Sequence, residues 1–327
     1  MGRYAPSPTG LLHLGNARTA LLAWLDARSH AGRWVMRVED IDTPRCVPGM
    51  EARQLADLRW LGLDWDHGPD VGGPAGPYRQ SERLGLYQEA LERLRKDGRA
   101  YPCTCSRQDL RRAASAPHAG EEGPPYPGTC RGRFPSEEAA RAASHRVPAW
   151  RFRVAPGVVR CADRVVGPHA QDVEHEVGDV VVRRADGLFA YQLAVVVDDA
   201  AMGVTHVVRA ADLLGSTPRQ AQLAQALGLP VPIPAHLPLL LGPDGTRLQK
   251  REPRHTLAGL RTLGVTPEEV VGWLAHSAGV TSTVQPRTAR SLVQGFRLET
   301  VRDQANWSLL PGSVPGPVPQ SPGVTAR

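Results

Sequence analysis

Over the first hundred residues, strand-like and helix-like stretches alternate, and no other feature narrows the possible folds as much. From Asn16 to Arg28, the residues Ala17, Ala20, Leu21, Trp24 and Leu25 recur at helical spacing, so one face is apolar. "RWVMRVEDID" (33–42) reads as a strand, with Val35 and Val38 inside and carboxylates crowding its C-terminal end. Pro48 is expected to open a second helix, lined by Leu55, Leu58 and Leu61 and stopped by Gly62. Ser81 is expected to cap a third helix, closed by Gly98. Such alternation needs parallel strands with helical crossovers, so the expectation is an α/β fold in which helices wrap a parallel sheet.

Residues 101–178 break the rhythm. They are rich in Pro, Gly, Arg and Cys, and read as an inserted connective module. Alternation resumes with "DVVVRRADGLFAYQLAVVVDD", where Asp186-Gly187 signals a turn, and with "THVVRAADLL". A helix should follow, with Thr217 as cap, Pro218 at its first position and Gly228 at its end. Residues 1–100 and 179–245 are thus two halves of one α/β domain. Residues 246–288 form a basic loop and a small helical part, and 289–327 a largely disordered Pro/Gly-rich tail.

Composition removes several function classes. No stretch approaches the ~20 apolar residues of a membrane span, and no basic-then-apolar leader opens the chain. Five cysteines, an odd number, argue against a disulfide framework. A cytoplasmic, monomeric protein with no membrane partner is expected. The net charge is +6, and all but two of the 39 cationic side chains are arginine, the exceptions being Lys96 and Lys250. Arginine forks suit phosphate and carboxylate, which is compatible with a nucleotide or RNA partner.

"RYAPSPTGLLHLGNARTALLAWL" places His13, Gly10 and Gly15 where a helix begins. The first N–H groups of a helix lack internal partners and carry partial positive charge, so this is a candidate triphosphate cradle, with His13 as a hydrogen-bond donor. Neither GxxxxGK[ST] nor GxGxxG occurs, which argues against the usual P-loop and dinucleotide folds. Glu39, with Asp40 and Asp42, stands at a strand end, where it could hold a cationic group. "RLQKRE" is a basic loop able to neutralise departing pyrophosphate. Cys103, Cys105 and Cys130 supply three thiolates for a zinc site, leaving one ligand to find, for which His118 is the ordinary choice.

Five segments in order, "RYAPSPTGLLHLGNARTAL", "RVEDIDTPR", "DLRWLGLDWDHGP", "YRQSERLGLY" and "FAYQLAVVVDD", resemble the catalytic domain of the class I glutamyl-tRNA synthetase family over roughly residues 3–275. "HLGN" resembles that family's HIGH signature and "RLQKR" a degenerate KMSKS loop, with Gln249 and Arg251 where the full signature has serines. The resemblance implies a Rossmann-type parallel sheet, an inserted zinc-containing module and a small C-terminal helical part. It implies that Arg3, Tyr4, Ala5, Pro6 and Ser7 form the glutamate-binding strand end. Glu39 would face the amino acid, and Tyr191 and Arg209 would complete the pocket. His13, Gly15, Asn16 and Lys250 would hold ATP with its Mg²⁺, His13 and Lys250 being the catalytic pair. It also implies Tyr126 as the fourth ligand of one structural Zn²⁺ with Cys103, Cys105 and Cys130.

Only 76 residues follow Arg251, against the order of 100 that a helical anticodon-binding domain needs. Within the family this points to the shortened paralogue, whose substrates would be ATP, L-glutamate and tRNA(Asp) bearing queuosine. Two other readings stay open: a truncated enzyme charging the 3′ end of tRNA(Glu), and a non-catalytic RNA-binding paralogue.

Overall fold

Tyr4, Trp34, Met36 and Val208 are buried on one face of a parallel layer, while Arg3, Val35, Val207 and Arg209 turn to the other. This period-2 division of labour sets the architecture. The computed structural model describes residues 1–106, 108–109, 125–242, 245–246, 253–301 and 307–308. Strand β1 (Gly2–Tyr4) pairs in parallel with β2 (Trp34–Met36), Arg3 opposite Val35. Later in the chain β8 (His206–Ala210) pairs in parallel with β9 (Ile233–Leu237), Arg209 opposite His236. The two pairs meet where the Met1 carbonyl accepts from the Thr205 and His206 N–H groups, at 2.9 and 3.2 Å.

Helix α1 (Leu14–Ser29) is the crossover between β1 and β2, and Leu14, Leu21, Leu22, Trp24 and Leu25 are buried along it. Its core is shared with α2 (Met50–Trp60) and with a C-terminal helix over Pro267–Ser277, which contributes Val270, Trp273 and Leu274. Deleting one such buried leucine to alanine costs about 2–5 kcal/mol. Residues 289–301, assigned above to the tail, instead bury Ala289, Leu292, Phe296, Leu298 and Val301 in this core. Residues 309–327 lie outside the described residues.

The second core joins α3 (Leu84–Lys96) to the antiparallel sheet β3 (Ala100–Cys103), β4 (Ala149–Phe152) and β7 (Val180–Arg183), and to the helices Tyr191–Ala201 and Ser216–Ala226. The expected module is therefore not a detached unit: its strands β3 and β4 build on β7, which belongs to the second half. A hairpin, β5 (Val158–Asp163) and β6 (Gly167–Asp172), completes it.

Two expected caps are corrected. Ser81 does not open α3, whose N-cap is Arg83; its N–H and hydroxyl both donate to Asp40, at 2.8 and 2.6 Å. Thr217 lies inside its helix, and its hydroxyl accepts from Arg209 instead. The second helix begins at Met50, after Gly49 in the left-handed region (φ +74°), rather than at Pro48. Among the described residues no helix is long and apolar enough to cross a membrane.

Candidate active site

The loop after β1 is held from two sides. The Glu39 N–H donates to the Pro6 carbonyl (2.9 Å), and Gln54 of α2 donates to the carbonyls of Ser7 and Gly10, at 3.0 and 2.7 Å. Behind this loop opens a cavity of about 410 Å³, whose lining includes Arg3 to Ser7, Asn16, Thr19, Glu39, Tyr191, Arg209 and Asp212. The structure thus brings together every residue expected for the amino-acid pocket. It lies beyond the C-terminal ends of β1 and β8, where ligands bind in open α/β sheets.

Charge in the cavity is unevenly compensated. Arg37 is wholly buried and bonded to Asp199 (2.7 Å) and Glu39 (3.1 Å). Arg3 stands 3.5 Å from Asp199, and its Nε makes no hydrogen bond. Burial alone would raise the Asp199 carboxyl, but Arg37 and Arg3 outweigh it and hold the group below the ordinary range. Burial pushes Glu39 the other way, against Arg37 and Arg3, and its carboxyl lies above the ordinary range. Among the described residues the Arg209 guanidinium has only neutral partners: His236, Gln220, Thr217 and the Tyr191 hydroxyl. Burial raises the Tyr191 phenol, which therefore keeps its proton. The guanidinium groups of Arg3 and Arg209 with the Glu39 carboxylate complement an amino acid bearing two carboxylates and one ammonium, and Asp212 adds a second carboxylate to the lining.

The start of α1 differs from expectation. His13 is the N-cap, and its Nδ1 accepts from the Gly15 and Asn16 N–H groups, at 3.1 and 3.3 Å. Asn16 Oδ1 accepts in return from the His13 N–H (3.2 Å). Those two amides are therefore satisfied within the protein, and with Nδ1 accepting, the proton of the neutral ring stands on Nε2. Gly15 leaves room for this fold-back, because a Cβ there would stand 3.0 Å from the imidazole and press on the ring. Thr256 forms a backbone bridge to His13, and the Leu257 N–H donates to the Leu12 carbonyl (3.0 Å). Lys250, Gln249 and Arg251 lie outside the described residues, as does His118.

A second constellation sits at the end of β3. The sulfurs of Cys103, Cys105 and Cys130 all lie within 4.8 Å of one another, Cys105 and Cys130 at 3.6 Å. The Tyr126 hydroxyl is 3.4 Å from Cys103 Sγ and accepts from the Cys130 N–H (2.8 Å). Thiolates around a tetrahedral Zn²⁺, with Zn–S of ~2.3 Å, stand roughly 3.8 Å apart, so these donors fit such an ion. Burial, with Cys103 beside it, pushes the Cys105 thiol well above its ordinary range, an arrangement a divalent cation would reverse. Gly178 seats Tyr126: a Cβ there would come within 2.1 Å of the Tyr126 carbonyl oxygen.

Sequence reasoning missed Arg37, Asp198 and Asp199, and also Asp163 and His236. For the aspartates a signal existed: two carboxylates ending the apolar run "LAVVV" inside a helix demand buried cations.

A model of the family described as tRNA synthetases class I (E and Q), catalytic domain, matches residues 1–294. A protein of Symbiobacterium thermophilum named Glutamyl-Q tRNA(Asp) synthetase is 56% identical over 92% of this chain and 93% of its own length. A protein of the same name from Nitratidesulfovibrio vulgaris is 50% identical over 89% of this chain and 90% of its own. Among solved structures, a glutamate-tRNA synthetase from Elizabethkingia anophelis superposes with a TM-score of 0.82 at 30% identity, covering 95% of this chain and 68% of that one. A match that runs through both halves of the sheet and the segment between them leaves one assignment: the chain belongs to the class I tRNA synthetases of the glutamate and glutamine (E and Q) family.

Proposed function

We propose that this chain activates L-glutamate with ATP and transfers the glutamyl group to the queuosine base in the anticodon loop of tRNA(Asp). The observation that carries this reading is the 56% identity running over 93% of the length of the Symbiobacterium Glutamyl-Q tRNA(Asp) synthetase. The charge pattern of the pocket supports glutamate as the amino acid. Glu39 receives the ammonium group, Arg209 with Tyr191 the side-chain carboxylate, and Arg3 adds a second positive charge beside the loop from Tyr4 to Ser7.

In the first step an α-carboxylate oxygen of glutamate attacks the α-phosphorus of ATP. The bond to the bridging oxygen breaks, and pyrophosphate leaves with its electron pair. ATP is held by His13, Gly15, Asn16 and Lys250; His13 donates from Nε2, and the lysine balances negative charge on the departing group. Mg²⁺, when bound with ATP, would screen its phosphates. In the second step a hydroxyl of the cyclopentenediol ring of queuosine attacks the adenylate carbonyl, its proton is lost and AMP leaves. Positioning and electrostatics carry both steps, and no protein nucleophile is required.

Cys103, Cys105, Cys130 and Tyr126 would hold one structural Zn²⁺, which when bound supplies folding energy to a segment with few apolar side chains. Tyr126→Phe keeps the ring and deletes only the proposed ligand oxygen. It should lower zinc content measured by atomic absorption, whereas His118→Ala should not. The opposite pattern would make His118 the fourth ligand.

The reading is tested with radiolabelled glutamate, ATP and bulk tRNA from queuosine-containing and queuosine-lacking cells. Label should enter only the first pool and travel with tRNA(Asp). Label on both pools means charging of tRNA(Glu), and label on neither, with no glutamate-dependent pyrophosphate exchange, means an RNA-binding paralogue.

A further inference from the structure

Arg209 takes its orientation from a pair of residues that do not line the cavity. Asp163 ends β5 and His236 lies on β9; their relative exposures are 4% and 0%. Arg209 Nε donates to His236 Nε2 (2.9 Å), and His236 Nδ1 lies 2.6 Å from Asp163 Oδ2. A guanidinium nitrogen can only donate and a carboxylate only accept. His236 must therefore accept at Nε2 and donate at Nδ1, so the ring is neutral with its proton on Nδ1. The other oxygen of Asp163 is fully used: Oδ1 accepts from the backbone N–H groups of Val165 (2.9 Å), Val166 (2.9 Å) and His236 (3.1 Å).

We propose that Asp163 and His236 form a positioning relay that aims Arg209 at the substrate carboxylate while keeping Arg209 free of any direct anionic partner. This rests on the assignment of Arg209 to the side-chain carboxylate of glutamate. A carboxylate bonded directly to the guanidinium would also hold it, but would compete with the substrate for the same N–H groups and cancel its charge. The imidazole solves both problems, since it transmits the geometry set by Asp163 and presents a neutral acceptor. The remaining contacts follow the same rule: Nη1 donates to Gln220 Oε1 (2.9 Å) and to the Tyr191 hydroxyl (3.4 Å), and Nη2 to Thr217 Oγ1 (2.7 Å). Among the described residues no carboxylate pairs with Arg209, in contrast to Arg3, which also lines the cavity, and to the buried Arg37. The pair is a positioning device; neither residue touches the reacting atoms.

The geometry yields a near-isosteric test. In Asp163→Asn the single amide oxygen is claimed by the three backbone N–H groups, so the amide NH₂ must face His236 Nδ1. That forces the imidazole proton onto Nε2, against the Arg209 Nε–H. Glutamate-dependent ATP–pyrophosphate exchange by Asp163→Asn should show the glutamate KM raised about tenfold or more, with the ATP KM and kcat close to wild type. His236→Leu, which removes the acceptor, should behave alike, whereas His236→Gln offers an amide oxygen to Arg209 and should recover most of the affinity. In ¹⁵N-histidine NMR spectra the neutral His236 ring should be protonated on Nδ1 in the wild type and on Nε2 in Asp163→Asn. If wild type exchanges with glutamate while Asp163→Asn and His236→Leu keep its glutamate KM, the relay is overturned. An equal loss for ATP and glutamate, or no advantage of Gln over Leu, also overturns it. If wild type shows no glutamate-dependent exchange, the glutamate reading itself falls. The NMR experiment reports separately on the tautomer in that case.

Discussion

Arg37 and Arg209 are both buried, both lie against the helix that begins at Tyr191, and serve opposite ends. Arg37 is saturated with charge, since Asp199, Glu39 and Asp198 stand 2.7, 3.1 and 3.7 Å away. Asp198 is itself shared with Arg83 (2.6 Å), Tyr87 (2.8 Å) and Gln80 (2.9 Å). Among the described residues Arg209 has neutral partners only. A buried cation fully matched by anions locks elements together, whereas one held by dipoles keeps its charge for a ligand.

The comparison is broken most severely at Asp198. Asp198→Ala leaves Arg37 and Arg83 buried with a missing partner and should cost about 3–5 kcal/mol of stability in urea unfolding. A loss below about 1 kcal/mol would mean the cluster is not the lock described here. Arg209→Ala should do the reverse. The glutamate KM should rise about a hundredfold, the equivalent of ~3 kcal/mol, while the ATP Kd measured by equilibrium dialysis stays near wild type and the unfolding free energy drops by about 1–2 kcal/mol.

The smallest effect is one of pH. Burial, helped by Arg209 and opposed by Asp163, holds His236 below its ordinary value of about 6.5. As pH falls below about 6.5, the unfolded chain takes up a proton that the folded one refuses. Stability should decline from there by up to ~1.4 kcal/mol per pH unit, until the folded ring titrates. Asp163 is depressed to about 2, where burial is outweighed by His236 and the backbone N–H groups of Val165, Val166 and His236, so its contribution is lost only below about pH 4. His236→Gln should flatten the unfolding free energy between pH 6.5 and 5 relative to wild type and leave the limb below pH 4 in place. Parallel wild-type and variant curves would show that His236 is not held neutral.

How far such features could be read in advance depends on their range along the chain. The helix over Leu14–Ser29 and the stops at Gly98 and Gly228, both in the left-handed region, follow from spacing and backbone freedom within a few residues. The cysteine triplet was visible because thiolates of this spacing have few other uses. The pocket residues were legible only through their resemblance to a family, since nothing local marks Arg209 among 37 arginines. Ser81 and Thr217 show why local signals fail: each carries a capping hydroxyl beside a helix start, and each finds a stronger charged partner, Asp40 or Arg209, supplied by another part of the fold.

The sequence by itself determined the alternating elements and the Cys103–Cys105–Cys130 set, because period, turn chemistry and ligand spacing act over short stretches. Only the tertiary structure decided which arginine is neutralised and which is kept charged. Asp199 meets Arg37 across 162 positions and Asp163 meets His236 across 73, so both pairings depend on strand register and helix docking. Burial then makes those pairings consequential, because in a low-dielectric interior a buried charge must be matched by the protein or reserved for the substrate.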